Sequence, residues 1–208
     1  MNKLPGTFLL ILNLFMQTGG QPPAAVPILY GITIQNASFE QIPSDFTLGG
    51  RQQCGPQGAG HVLGWTSPAF GAIWLSQPAN PNPCGNSVPP DGVSAAIIAP
   101  GNSVVADAGP PQTVDGVYTL KVSVAAYDYW YGGGYLFSVS IGTLQLCSTS
   151  GVSMGDFTEV TLVCPNQRRY PPNISGDLMI SLAGLDLGND THYMSLVDKV
   201  SLTFAPTN

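Results

Sequence analysis

Two nearby stretches of strict two-residue alternation constrain this chain more than anything else in it. From Val117 to Ala126, Tyr118, Leu120, Val122, Val124 and Ala126 share one face, and Thr119, Lys121 and Ser123 share the other. Tyr135, Phe137, Val139 and Ile141 then alternate with Leu136, Ser138 and Ser140. A period of two gives a strand one apolar face and gives a helix none, so both stretches read as half-buried strands. Between them lie Tyr127-Asp128-Tyr129-Trp130-Tyr131 and three glycines, and the whole reads as a β-hairpin with an aromatic tip.

The remaining sequence has the same grain. Tyr30 to Asn36 reads as a first strand, and Val93 to Ala99 and Ser103 to Ala106 as short strands about a Pro100-Gly101-Asn102 turn. Thr143 to Cys147, Phe157 to Cys164, Asp177 to Leu182 and Tyr193 to Phe204 follow, each bounded by turn residues. The segment at about 41–92 is read as a mostly looped, Gly/Pro-rich excursion, broken by Pro78, Pro81, Pro83, Pro89 and Pro90. Neither an amphipathic helix nor an internal repeat stands out. Many short strands in 208 residues point to one antiparallel β-sandwich domain.

Charged residues are 9% of the chain, the formal net charge is -6, and no run of Lys or Arg exists. Nucleic acid and anionic membranes therefore have no electrostatic footprint to meet. Lys3, the apolar run Phe8 to Met16 and the small residues Thr18-Gly19-Gly20 form the pattern of an export leader over 1–20, leaving 21–208 as the domain. That apolar run is too short to cross a bilayer, and no second one follows. The expectation is a soluble, monomeric, exported protein without membrane insertion, extracellular or periplasmic.

Four cysteines, Cys54, Cys84, Cys147 and Cys164, suit an exported chain with two disulfides. Of three possible pairings, nearest neighbours are preferred: Cys147 with Cys164 across adjacent strands, and Cys54 with Cys84 closing the excursion. A zinc site of four thiolates is the rival, but no C-x2-C pair is present.

In the last strand Met194, Leu196, Val200, Leu202 and Phe204 share an alternation face, and Asp198 lies on it too. A carboxylate among core residues demands a cation, N–H donors or a solvated edge. Gly151-Val152-Ser153-Met154-Gly155 matches G-x-S-x-G, but the next residues read as a strand where a nucleophile elbow needs a helix, so a hairpin turn is expected. The only glutamates are Glu40 and Glu159, which gives a glycosidase few options beyond aspartates. His61 and His192 share no ligand spacing. Asn36, Asn173 and Asn189 begin N-x-[ST] sequons.

Ile34-Gln35-Asn36-Ala37-Ser38-Phe39-Glu40, Gly64-Trp65-Thr66 and Val197-Asp198-Lys199-Val200-Ser201-Leu202-Thr203 together resemble the signature of galactose-binding-like jelly rolls. More narrowly, they are similar to exported bacterial proteins with an N-x-SFE opening and a D-x-V-x-L closing strand, often sorting-anchored, and to carbohydrate-binding modules of that fold. The resemblance implies an all-β jelly-roll sandwich in which Glu40 and Asp198 help hold a structural calcium ion, with backbone carbonyls supplying further oxygens. The bland alternative makes both ordinary edge carboxylates, one paired with Lys199 or Arg51. The acidic loop Asp186 to Asp190 is a weaker candidate.

Flat aromatics stack on sugar rings while carboxylates and amides fix the hydroxyls. Tyr127, Asp128, Tyr129, Trp130 and Tyr131, with Trp74, are therefore the expected ligand-binding residues, whereas Trp65 is expected in the core. A non-catalytic module recognising carbohydrate or a cell-surface glycan is the first expectation. A structural or adhesive extracellular protein is the second, and a secreted hydrolase the third.

Overall fold

A computed structural model describes residues 29–42, 47–52, 55–69, 73–76, 88–127, 132–166, 175–188 and 194–207. The leader, Cys54, Cys84 and Asp128 to Tyr131 lie outside the described residues.

The strands are β1 (Tyr30–Ile32), β2 (Thr47–Gln52), β3 (Gly55–Gly60), β4 (Trp65–Thr66), β5 (Ile73–Ser76), β6 (Ala95–Ile98), β7 (Ser103–Asp107), β8 (Gly116–Ala126), β9 (Gly133–Ile141), β10 (Leu144–Ser153), β11 (Thr158–Asn166), β12 (Leu178–Leu185) and β13 (Ser195–Pro206). They form two antiparallel sheets. The larger runs β11-β8-β13-β6-β5-β3-β2 with β1 added onto β13, and the smaller runs β10-β9-β12-β7-β4. No helix occurs among the described residues, and the expected antiparallel sandwich is the architecture found.

The alternation marks the core faces correctly. Tyr118, Leu120, Val122 and Val124 of β8, with Leu202 and Phe204 of β13, pack in one cluster with Phe137, Val139 and Ile141 of β9 and Ile180 and Leu182 of β12. All are essentially inaccessible to solvent. Each large side chain buried in this way contributes roughly 1.5–3 kcal/mol. Tyr118 stacks obliquely on Phe204 with ring centroids 4.9 Å apart, and its hydroxyl accepts the Gln112 N–H at 2.7 Å, so the one polar atom of this core ring is satisfied.

Three expectations are corrected. Strands β8 and β9 are not a hairpin: β8 belongs to the larger sheet and β9 to the smaller, so the chain arches across the sandwich between them. An apolar stripe fixes which face is buried, and both a hairpin and an arch bury it equally well. The turn after Ser153 is likewise an arch, from β10 into β11 of the opposite sheet. The 41–92 segment, expected to be mostly loop, carries β2, β3, β4 and β5, which extend the larger sheet and supply the edge of the smaller. Its strands are rich in Gly and Gln, residues without the β-branched bulk that announces a strand.

Cys147 and Cys164 are bonded, as expected, with Cα atoms 5.3 Å apart and a sequence separation of 17. Because β10 ends the smaller sheet and β11 the larger, the bond clamps one open edge of the sandwich. Closing a loop of that length contributes about 3 kcal/mol in the chain-entropy account. Replacing both cysteines by serine is therefore expected to lower the unfolding free energy in urea titration by about 3 kcal/mol, and a loss below about 1 kcal/mol would show that the clamp does not hold the sheets together.

Candidate functional site

Strand β13 pairs along one edge first with β6, from Ser195↔Ile98 to Val197↔Ala96, and later with β1, from Leu202↔Ile32 to Phe204↔Tyr30. Between the two partners the register slips at Asp198–Ser201, and Lys199 adopts a left-handed φ of 48°. This is a β-bulge, and it changes the face of everything upstream. Val200, Leu202 and Phe204 point into the main core, whereas Leu196 packs outside it with Ala95, Ile97, Ala125 and Tyr127. Asp198 lies opposite Ser123 on that outer side. The expectation that it interrupts the core face is thereby corrected, since a single alternation cannot run through a bulge.

The outer side is nonetheless closed at this point, for Asp198 is 0% exposed. What covers it comes from the N-x-SFE turn and the Asp91–Ser94 segment. Asn36 and Phe39 both take left-handed φ values, 50° and 58°, and make a tight turn. Asparagine tolerates that region, and a phenylalanine there is an outlier that its surroundings must hold. The Phe39 ring is fully buried and lies 4.8 Å from Trp65, whose Nε1–H donates to the Asn36 carbonyl at 3.1 Å. The Asn36 side chain accepts the Gln41 N–H at 2.9 Å and donates to the Gln41 carbonyl at 3.2 Å. Val200 N–H donates to the Ala37 carbonyl at 2.9 Å, so the turn replaces a strand beside the bulge. The opening, Gly-Trp and closing motifs thus meet at one place, with Trp65 in the core as expected.

Glu40 Oε1 accepts the N–H groups of Val93 at 2.8 Å and Ser94 at 2.6 Å, just ahead of β6. Asp198 Oδ2 accepts the Asp91 N–H at 3.0 Å, while its Oδ1 is buried without a hydrogen-bond partner. Burial, and after it the nearby carboxylates of Asp91 and Glu40, push the Asp198 carboxyl from 3.8 up to about 7, against the opposing backbone hydrogen bonds from Lys199 and Asp91. Gly92 sits in the left-handed region at φ 94°, and a Cβ there would come within 2.3 Å of the Glu40 carboxyl carbon. Asp91, absent from the sequence expectation, was signalled only by the Pro-Pro-Asp-Gly run that makes this turn. Among the described residues no three His, Cys, Asp or Glu side chains form a group able to hold a metal ion. The place does contain two neighbouring carboxyl groups and a buried carboxyl oxygen without a hydrogen-bond partner, a donor set that suits a hard cation completed by backbone oxygens.

Of the remaining expected residues, Tyr127 is described and is 8% exposed, anchoring the base of the tip in the satellite cluster. Asp128, Tyr129, Trp130 and Tyr131 fall outside the described residues. The backbone of Trp74 pairs with Ile97 of β6 and Ala59 of β3, and its side chain is not among those described. Ser153 of the G-x-S-x-G match is 3% exposed, donates its hydroxyl to the Gly133 carbonyl at 3.0 Å and lies 3.2 Å from Ser195 Oγ. It braces a loop.

Neither a family model nor a curated protein sequence matches the chain. Solved structures do. A cyclase from Fischerella sp. TAU in complex with 4-(1H-indol-3-yl)butan-2-one superposes with a TM-score of 0.62 at 18% identity, over 86% of this chain and 99% of that one. TmCBM61 in complex with β-1,4-galactotriose superposes with a TM-score of 0.51 at 14% identity, over 83% of this chain and 97% of that one. The fold is a jelly-roll β-sandwich. A Stig cyclase of the same organism, in complex with (3Z)-3-(1-methyl-2-pyrrolidinylidene)-3H-indole, gives 0.60 at 19% identity over 87% and 100% of the two chains. A jelly roll that serves both a cyclase and a sugar-bound module carries no activity by itself, so function has to come from the sites.

The raised Asp198 pKa sets a pH dependence. Between about pH 4 and pH 7 the folded protein holds a proton that the unfolded chain releases, so stability without metal falls as pH rises through that window and levels off above it. The fall is on the order of 4 kcal/mol at most. Urea titrations in excess EDTA at pH 4, 5.5 and 7.5 are expected to show it, and Asp198→Asn is expected to flatten it; a slope that survives the substitution would assign the effect elsewhere.

Proposed function

We propose that this chain is an exported, non-catalytic module that binds carbohydrate at the loop end carrying Tyr127 to Tyr131, with a structural calcium ion beside β13. The observation that carries the reading is how firmly the base of that loop is held. Tyr127 N–H donates to the Met194 carbonyl at 2.9 Å and Ala126 N–H to the Gly155 carbonyl at 3.3 Å, joining the β8–β9, β12–β13 and β10–β11 connections. Gly133 and Gly134 lie so close to Met194 and Leu185 that a Cβ would meet their carbonyl oxygens at 2.4 and 2.7 Å. Aromatic side chains stack on sugar rings, and a firmly held base lowers the ordering cost for a loop whose sequence carries them. The outer face of the smaller sheet offers less, since Leu136, Ser138, Ser140, Ser181 and Ala183 pave its centre with small or aliphatic side chains.

Binding is favoured over hydrolysis by the placement of the candidate catalytic groups. Glu159 is in an ion pair with Lys121 at 2.7 Å on the outer face of the larger sheet, Glu40 is bound to backbone N–H groups, and Ser153 is buried. The disulfide supports an extracellular or periplasmic setting. In the calcium reading Glu40 and Asp198 contribute oxygens, the orphan Oδ1 gains its partner, and the ion fastens the N-terminal turn to the closing strand.

Isothermal titration against a panel of soluble polysaccharides is expected to find a binder whose affinity drops at least about tenfold in Trp130→Ala, a typical cost for an aromatic anchor. Undiminished binding in that variant would clear the tip of the role. Millimolar calcium is expected to raise the melting temperature over that in EDTA by several degrees, with the shift lost in Asp198→Ala. A melt indifferent to calcium would remove the ion from the account.

A further inference from the structure

A hollow of about 520 Å³ opens between the turn that follows Glu40 and the β3–β4 connection, lined by Gln41, Ile42, His61, Val62, Leu63 and Gly64. The carbohydrate reading makes no use of it. Its volume is in the range that admits a small organic molecule.

The walls cannot move together to close it. On one side the backbone of Gln41 is bracketed by both polar atoms of the buried Asn36 side chain, at 2.9 and 3.2 Å. On the other, Trp65 N–H closes a turn onto the Val62 carbonyl at 3.0 Å, and Trp65 is itself tied to the Asn36 carbonyl at 3.1 Å. Gly64, at φ 81°, is pressed so tightly on Gln35 that a Cβ would lie 2.6 Å from the Gln35 Cβ. Both walls are thus anchored to the same N-x-SFE turn, and the hollow is preformed. An apolar hollow that is unable to collapse stays wet at a cost, which a ligand of matching surface removes.

The lining also indicates what fits. Among the described residues, Ile42, Val62, Leu63 and Gly64 give a mainly apolar wall, and His61 and Gln41 are the polar residues that line it. Val62 is 3% exposed and belongs to the core, and Leu63 beside it, 50% exposed, stands at the rim. A sugar would bring hydroxyls on every edge and leave most of them unmet against such walls. We propose that this hollow binds a small, largely apolar molecule with a single hydrogen-bonding edge, which lies against Ile42, Val62 and Leu63 and turns its polar edge to His61 or Gln41.

The test uses 2-naphthol as the probe and the full exported chain labelled with 15N. Titration is expected to move the amide signals of Gln41, Ile42, His61, Val62, Leu63 and Gly64 together and saturably, with a Kd of roughly 100 μM or tighter for so small a ligand. Leu63→Glu, at an exposed position that the fold does not need, is expected to weaken binding at least about tenfold while leaving the melting temperature and any polysaccharide binding unchanged. Absence of saturable shifts at these six amides would overturn the proposal, and so would equal affinity in wild type and Leu63→Glu. The mapping needs no substitution, so it decides the matter even if the variant folds poorly.

Discussion

Strand β13 is what the larger sheet hangs on, and its peculiarity is that one edge serves two partners in succession. A continuous neighbour would have needed no bulge. Since pairing with β6 ends at Val197↔Ala96 and pairing with β1 starts at Leu202↔Ile32, the stretch from Asp198 to Ser201 has to find its hydrogen bonds elsewhere, and it finds them in the Asn36–Glu40 turn and the Asp91–Ser94 segment. Three parts of the chain far apart in sequence are thereby pinned at one spot by backbone groups and two carboxylates. The unmet oxygen of Asp198 is left over from that arrangement, the one buried side-chain polar atom among the described residues without a hydrogen-bond partner.

Much of this was readable from residue order, and the exceptions have a common cause. Alternation in β8, β9, β12 and the end of β13 identified the buried side chains, because burial depends on the period alone. Membership of a sheet depends on partners, which period does not encode, and so the β8–β9 connection reads as a hairpin when it is an arch. The bulge at Lys199 reverses the faces of the residues before it, and nothing in Val-Asp-Lys-Val marks a residue that will turn left-handed. Strands β2 and β3 draw their order from pairing with each other and with β5, so their own glycines and glutamines conceal them.

The site was legible to a different degree. Glu40 and Asp198 were found through motifs that turn out to touch one another, whereas Asp91 contributes its backbone N–H and its charge from a turn without any motif of its own. The hollow beside Gln41 was invisible for a plainer reason. Its lining residues come from two connections and look like ordinary loop sequence; only the shared anchoring to Asn36 and Trp65 makes them a wall. A jelly roll leaves such freedom in its connections while the sheets stay fixed.

Asn36 also bears on the route by which the chain is made. It heads an N-x-S sequon, yet it is 8% exposed and both polar atoms of its amide are engaged with the Gln41 backbone. A glycan attached to that nitrogen during translocation, before the turn closes, would remove the donor to Gln41 and put a bulky, hydrated group where Phe39 and Trp65 have to meet. Production in a host that glycosylates its secretory cargo would then divide the product into an unmodified, folding fraction and a modified one barred from docking its first strand.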